Sequence, residues 1–438
     1  MRSAAVAAVV VGALAFSAPA RAEIGAVDAV PAATLLLPYF EVDLANTGGV
    51  TTLMSINNAS ATAVLAHVTV WSDFAVPTLA FNVYLTGYDV QTINVRDLLN
   101  GILPRTASDG QDPGDTADPN DGISNQGPLS QDINFASCNG QLPLPPLDSS
   151  YVLHLQNSHT GNLSPFYGAC AGRNYGDDVA RGYVTVDTVN NCTLRVANDP
   201  GYFVSGGSGD ATLQNVLWGD YFYVDPANNF AQGDTLVHVE ASATDPETST
   251  PGEYTFYGRY VGWTADDNRE PLATNFAARF LQGGVFSGGT DLVFWRDPKV
   301  GNPFSFGSGL YNCFQIGPNW YPLSQEDVTV FDEQENPDIP PVPPVFPPPP
   351  PPTALPFGAA AGRTTVGGFD LPIPFNFGWI FLNLNTFVVP AGANPPEDPL
   401  AAQAWVTQTH SAEGRFSVGY AATQLDSATN ASHMLLTP

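Results

Sequence analysis

Alternation with a period of two constrains this chain more than any other feature. In Leu79-Ala80-Phe81-Asn82-Val83-Tyr84-Leu85-Thr86 the bulky apolar residues stand at 79, 81, 83 and 85. Val64, Ala66, Val68 and Val70 repeat the pattern. A strand turns successive side chains to opposite faces, so such a run buries one face on a core and turns the other outward. The same reading predicts strands at Leu35–Val42, Thr51–Asn57, Val90–Val95, Tyr151–Leu155, Gly182–Val189, Tyr221–Val224 and Leu236–Glu240. It predicts others at Tyr254–Tyr260, Asp291–Trp295, Trp379–Leu384, Ala404–Thr409 and Phe416–Tyr420. Turn signals such as Thr47-Gly48-Gly49, Asn57-Asn58 and Ser287-Gly288-Gly289 separate them. Many short strands so punctuated predict an all-β fold, an antiparallel β-sandwich with immunoglobulin-like character.

One short amphipathic helix is expected, over Pro271–Gln282. Pro271 suits a first helical position, Leu272, Phe276 and Phe280 recur every four residues, and Gly283-Gly284 supplies a left-handed stop. Two segments stand outside the pattern. Residues 106–128 are acidic and rich in Asp, Gly and Pro, and residues 336–352 are proline-rich. The second ends in the consecutive prolines Pro347–Pro352, which as polyproline II at ~3.1 Å per residue make a stiff strut of roughly 19 Å. The strands expected after it are fewer than the seven or so of an independent sandwich. Residues 23–438 are therefore expected to form one large interleaved β-sandwich unit, with the proline-rich segment as a surface crossover. Two separate β domains are the alternative.

The first 22 residues read as an export signal. Arg2 supplies the positive start, Ala4–Phe16 an apolar run, and Ala20-Arg21-Ala22 the small residues before cleavage at Glu23. The run is shorter than the ~20 apolar residues that span a bilayer. The expected location is exported: periplasmic, secreted or cell-surface, with no membrane insertion after signal cleavage. Cysteine use agrees with an oxidising compartment. Cys138, Cys170, Cys192 and Cys313 contain no CxxC pair, which leaves redox and zinc-ribbon motifs unsupported. Two disulfides are expected, Cys138–Cys170 and Cys192–Cys313 being the preferred pairing.

Charge narrows the partners. With 14 Lys+Arg against 42 Asp+Glu the formal net charge is −28. Such a chain repels polyanions, which excludes nucleic-acid binding through phosphate neutralisation and disfavours anionic lipid. The expected partner is an extracellular polymer, glycan or protein.

Few residues carry recognisable chemistry. Asp109, Asp112, Asp115, Asp118 and Asp121 fall at strict three-residue spacing among Gly and Pro. Folded back, such a loop gathers oxygen ligands for Ca²⁺, the one cofactor expected. Extended, it is a solvated acidic spacer. The register is wrong for an EF-hand, since Gly122 is fifth from Asp118. His67, His154 and His238 lie inside strand patterns, where packing is the expected role, and His159, His410 and His433 complete the six. Lys299 is the only lysine, and neither a Walker A nor a GxSxG sequence is present. Asp220 and Asp225 are a possible carboxylate pair for glycoside chemistry. Trp218, Tyr221 and Tyr223 are candidates for a glycan-stacking platform, with core packing as the competing role. Catalytic and cofactor-binding residues are not assigned.

Three stretches carry a resemblance: Gly182–Asp187 leading to Cys192, Trp218–Tyr223, and Asp291–Asp297. Through them the chain resembles a family of uncharacterised exported proteins of Gram-negative bacteria. The resemblance implies an exported setting and no activity or site residue. The sequence thus points to an exported non-catalytic β-sandwich with a binding or structural role, with calcium as its expected stabilising ion. An extracellular carbohydrate-binding or carbohydrate-active protein is the alternative, and an assembly component pairing through edge strands is a third.

Overall fold

A computed structural model describes residues 30–106, 135–138, 140–142, 144–250, 255–258, 260–262, 264–296, 328–338, 359–368, 371–384, 403–412 and 416–427. The segment expected to be an export signal, all five Asp of the acidic spacing, and the proline run lie outside these residues. The chain folds into antiparallel β-sheets, the sandwich-like all-β architecture that the alternation implies.

The first half supplies β1 (Thr34–Asp43), β2 (Thr51–Asn58), β3 (Val64–Ser72), β4 (Pro77–Leu85) and β5 (Val90–Asn94). After the helices α1 (Val95–Leu99) and α2 (Ser149–Thr160) come β6 (Val179–Val189), β7 (Leu217–Asp225), β8 (Phe230–Thr235) and β9 (Val237–Val239). These strands form sheet I, in the order β4-β3-β6-β1-β9, and sheet II, in the order β5-β2-β7-β8. Leu35, Leu37 and Tyr39 of β1 share a core with Met54 and Ile56 of β2 and Tyr221 and Tyr223 of β7. The two sheets approach closely at Gly219 of β7, where a Cβ would lie 3.2 Å from Leu35 Cδ1 of β1. An immunoglobulin constant domain keeps its first two strands in one sheet, whereas here β1 and β2 fall in different sheets. The expected immunoglobulin-like character does not extend to the strand order.

The second half begins with the four-residue α3 (Pro246–Ser249) and repeats the architecture. Its strands are β10 (Ala273–Leu281), β11 (Gly289–Arg296), β12 (Val328–Asp332), β13 (Pro337–Asp338), β14 (Ala361–Thr365), β15 (Phe377–Asn383), β16 (Ala404–Ala412), β17 (Phe416–Ala421) and β18 (Thr423–Ser427). Sheet III runs β13-β12-β15-β10-β18 and sheet IV runs β14-β11-β16-β17. Phe276, Phe280, Val330, Ile380 and Leu382 of sheet III meet Leu292, Phe294 and Val406 of sheet IV in a second core.

Sheet IV also joins the halves. Leu292 and Phe294 face the second core, while Val293 and Trp295 belong to the first. Trp295 stacks on Phe256 with ring centroids 5.5 Å apart. Arg363 of β14 bridges Glu41 of β1 and Asp291 of β11, each at 3.1 Å. Burial alone would raise the Glu41 carboxyl, but Arg363, the Tyr39 hydroxyl and Arg181 outweigh it and hold that group below its usual range.

Three expectations are corrected here. Pro271–Gln282 is not a helix: Ala273–Leu281 is strand β10. Leu272, Phe276 and Phe280 are four apart, and every fourth residue shares parity, so that spacing serves a strand face as well as a helix face. Gly283 and Gly284 do take left-handed φ, 77° and 59°, but they turn a strand. The reverse error occurs at Tyr151–Leu155, which lies inside α2. Asp148 caps α2 through the backbone N–H groups of Ser150 and Tyr151, and Gly161 ends it at φ 71°. Third, the described part of Tyr254–Tyr260 forms turns.

The preferred disulfide pairing is also overturned. Cys138 bonds Cys192, tying residues before α2 to the end of β6. Cys170 is also disulfide-bonded, and Cys313 lies outside the described residues.

A buried polar network covers the remaining face of sheet I. Arg269 is fully buried and lies 3.6 Å from Asp187. Its Nε donates to the Thr34 hydroxyl at 2.7 Å, and its terminal nitrogens donate to the carbonyls of Asp267 at 2.6 Å and Thr212 at 3.0 Å. Asp187 accepts from Thr34, from Tyr202 at 2.7 Å and from Tyr257 at 3.1 Å. A buried charge requires such saturation, so the network pins the long connections on either side of residues 202 and 267 onto the sheet.

Candidate functional site

The six histidines are explained by packing wherever they are described. His67 pairs with Asn82 at 3.0 Å, and His154 with Ser164 at 2.8 Å. His159 lies between the Thr78 hydroxyl at 2.8 Å and the Arg181 carbonyl at 2.9 Å, and burial lowers it to about 4. His410 contacts Thr290 at 2.8 Å and the Tyr420 hydroxyl at 3.1 Å. His238 rests edge-on against Trp218, with ring centroids 5.8 Å apart. His433 lies outside the described residues. Among the described residues, no group of three or more His, Cys, Asp or Glu is placed to hold a metal ion. The aspartates expected to hold calcium are not among them.

The carboxylates singled out on β7 serve separate ends. Asp220 accepts from the Ser55 hydroxyl at 2.8 Å, while Asp225 accepts from the Asn228 backbone and side chain at the following turn. Five positions along a strand separate their Cα atoms by roughly 17 Å and turn the two side chains to opposite faces, so they do not form the facing pair that glycoside chemistry uses. A shallow cleft of about 510 Å³ lies beside the disulfide, lined by Gln141, Cys192, Leu194, Arg195 and Asp210 among others. Its one cation, Arg195, is paired with Asp210 at 3.1 Å, and its second carboxylate, Asp199, accepts from the Val196 backbone N–H at 2.9 Å.

The glycan platform expected on β7 is split by the pleat. Tyr221 and Tyr223 are buried in the first core, and the Tyr223 hydroxyl donates to the Tyr39 carbonyl at 2.8 Å. Trp218 faces the other way, with Asp220 and the half-exposed Phe222. The three rings do not share a face.

A coherent aromatic face exists instead on sheet III. Along β15 the even positions Ile380 and Leu382 are buried in the second core. The odd positions are Phe377, Trp379 and Phe381, and Phe377 and Trp379 are 45% and 39% exposed. Register extends this face to the neighbouring strands. Trp379 lies opposite Phe331 on β12 and Arg279 on β10. Phe381 lies opposite Thr329 and Ala277, and Phe377 opposite Leu281. Ala277 in turn pairs with the exposed Thr423 of β18. Phe331 and Trp379 are in ring contact at 5.5 Å, tilted by 37°.

This face differs from the rest of the protein in charge. The positions named carry no carboxylate, although the chain holds 42; the nearest in register are Asp332, opposite Gly378, and Asp426, opposite Asn275. Its only cation, Arg279, is exposed and makes no ion pair among the described residues. An unpaired guanidinium beside open rings has its donors free for a ligand.

In the sequence Trp379–Leu384 reads only as one more strand, and the face is not apparent. The run Phe377-Gly378-Trp379-Ile380-Phe381-Leu382 is apolar at both parities, the pattern of a strand buried on both sides. The discriminating signal was there: aromatics occupy one parity and aliphatics the other. Among the described residues, no helix is long and apolar enough to cross a membrane. No family model matches this chain, and no curated protein or solved structure matches it either.

Proposed function

We propose that this chain is an exported, non-catalytic β-sandwich that binds a glycan through the outer face of sheet III. The observation that carries the reading is the ladder Phe377, Trp379 and Phe381, joined by Phe331, with Arg279 opposite its middle ring. Pyranose rings present C–H faces that stack on aromatic rings, and stacked aromatics are worth most where they are already ordered by a sheet. The wiring of the described histidines into packing contacts, and the separation of Asp220 from Asp225, favour binding over catalysis. The export signal and the disulfide chemistry favour a site of action outside the cytoplasm.

The test is a binding screen of the mature, oxidised protein against soluble and insoluble polysaccharides, with Trp379→Ala and Phe377→Ala run alongside. The wild type is retained by at least one polysaccharide, and each variant loses roughly ten-fold in affinity with an unchanged melting temperature. Retention by none of them, or variants that bind as the wild type does, overturns the proposal.

A further inference from the structure

Resting on that reading, we infer that the ligand is a neutral, extended polysaccharide lying along β15, not a polyanion, a helical glucan or a chain end. Three properties of the face select this class.

The first is shape. Three rings at i, i+2 and i+4 of one strand are nearly collinear and cover roughly 14 Å, at about 3.4 Å per residue. Among the described residues, those opposite them in register are Leu281, Arg279, Ala277, Phe331 and Thr329, all members of the same sheet. A chain end is held by a pocket that closes around it. A row of rings along one strand instead matches a ribbon whose successive units each show a C–H face. Equatorially β-linked pyranosides form such ribbons, and α-linked chains coil away from a flat surface.

The second is charge. The chain as a whole carries −28, so a polyanionic polysaccharide pays a long-range repulsion on approach. One arginine cannot offset that for a polymer charged at every unit. A neutral polymer feels neither the repulsion nor a need for counter-charge.

The third is the place of Arg279. It lies opposite Trp379, the middle ring of the ladder. A guanidinium has five N–H donors and no acceptor, so it suits the hydroxyl oxygens along the edge of a unit stacked on Trp379. Arg279 is thereby a positioning contact for the central unit, with Phe377 and Phe381 holding the units on either side.

The experiment is calorimetric titration of the full mature protein with β-1,4-linked glucose oligomers of two to six units. Hydroxyethylcellulose, amylose and polygalacturonate follow, each at ~0.05 and ~0.5 M NaCl. Affinity is expected to rise with oligomer length and level off once the ladder is covered, with under two-fold change between the salt conditions. Trp379→Ala is expected to lose roughly ten-fold and Arg279→Gln roughly three- to five-fold, while Trp379→Tyr retains most of the binding. Tighter binding to polygalacturonate, lost at high salt, overturns the neutral class and leaves glycan binding intact. Equal binding to amylose overturns the ribbon geometry in the same way. Binding of no polysaccharide, with self-association that Trp379→Ala abolishes, assigns the face to a second copy and removes both this inference and the reading beneath it.

Discussion

Replacing Arg269 by Met tests whether the buried network holds the first half together. The substitution keeps most of the side-chain volume and removes the charge. Arg269 lies 3.6 Å from Asp187, a separation worth about 4–5 kcal/mol of attraction at an effective dielectric of about 20. The Thr34 hydroxyl and the carbonyls of Asp267 and Thr212 also lose their donor, at ~1–3 kcal/mol for each buried acceptor left unmet. The methionine recovers apolar contact with Phe203, whose ring lies 4.7 Å from the guanidinium carbon. Removing one partner of a buried pair costs about 3–5 kcal/mol, and this saturated site falls at the upper end, ~4–5 kcal/mol. Urea unfolding followed by tryptophan fluorescence measures it, in a cycle with Asp187→Asn. The second change should cost much less in the Arg269→Met background than in the wild type, because the partner charge is already gone. A single variant within ~1 kcal/mol of wild type, or fully additive effects, would refute the argument.

Other consequences follow from the same contacts. Burial raises the Asp73 carboxyl to about 7 against the opposing Arg173 backbone N–H and the Arg181 and Arg173 charges, and burial raises Asp267 to about 6. A carboxyl raised on folding contributes stability that is complete below ~4 and lost as pH rises through its folded value, on the order of 3–4 kcal/mol for Asp73. His159, lowered to about 4 by burial, acts oppositely, losing its contribution as pH falls from ~6.5 through ~4. The clean readout is therefore the difference between wild type and Asp73→Asn, which should grow in the variant's favour between pH 5 and pH 8 in chemical denaturation. Arg363→Ala should destabilise by ~3 kcal/mol, because Glu41 and Asp291 are left facing each other across the seam without their shared cation; differential scanning calorimetry with separated unfolding of the halves would show it. Cys138→Ser opens a loop closed over 54 residues, at about 4 kcal/mol in the chain-entropy estimate. Its signature is a lowered urea midpoint that reduction of the wild type reproduces at least in part.

Apolar runs and alternation bounded by turn signals made β1 to β7, β9, β11 and β15 to β17 legible. That held even for β1, β3, β6 and β16, which are buried on both faces. Parity failed where two periodicities coincide. Phe276 and Phe280 satisfy a helix and a strand equally, and only the partners β15 and β18 decide between them. Tyr151, His154, Leu155, Ser158 and His159 follow a helical spacing, yet the apolar alternation Tyr151-Leu153-Leu155 disguised it. There the local caps Asp148 and Gly161 were the better guide. The candidate face was misplaced for a related reason. Trp218, Tyr221 and Tyr223 are close in sequence, but 218 and 221 differ in parity, so one strand cannot present all three. The Arg269–Asp187 pair joins residues too far apart in the chain for any pattern to reveal.

Under the proposed function, ligand lies on the β15 ladder. Hydroxyl-radical footprinting of the mature protein, with and without hydroxyethylcellulose, reads this directly by mass spectrometry. The account predicts lower oxidation of Phe377, Trp379 and Phe331 when the polymer is present, with Phe222 on the outer face of sheet II unchanged. Unchanged oxidation of Trp379, or protection centred on Phe222, would contradict it.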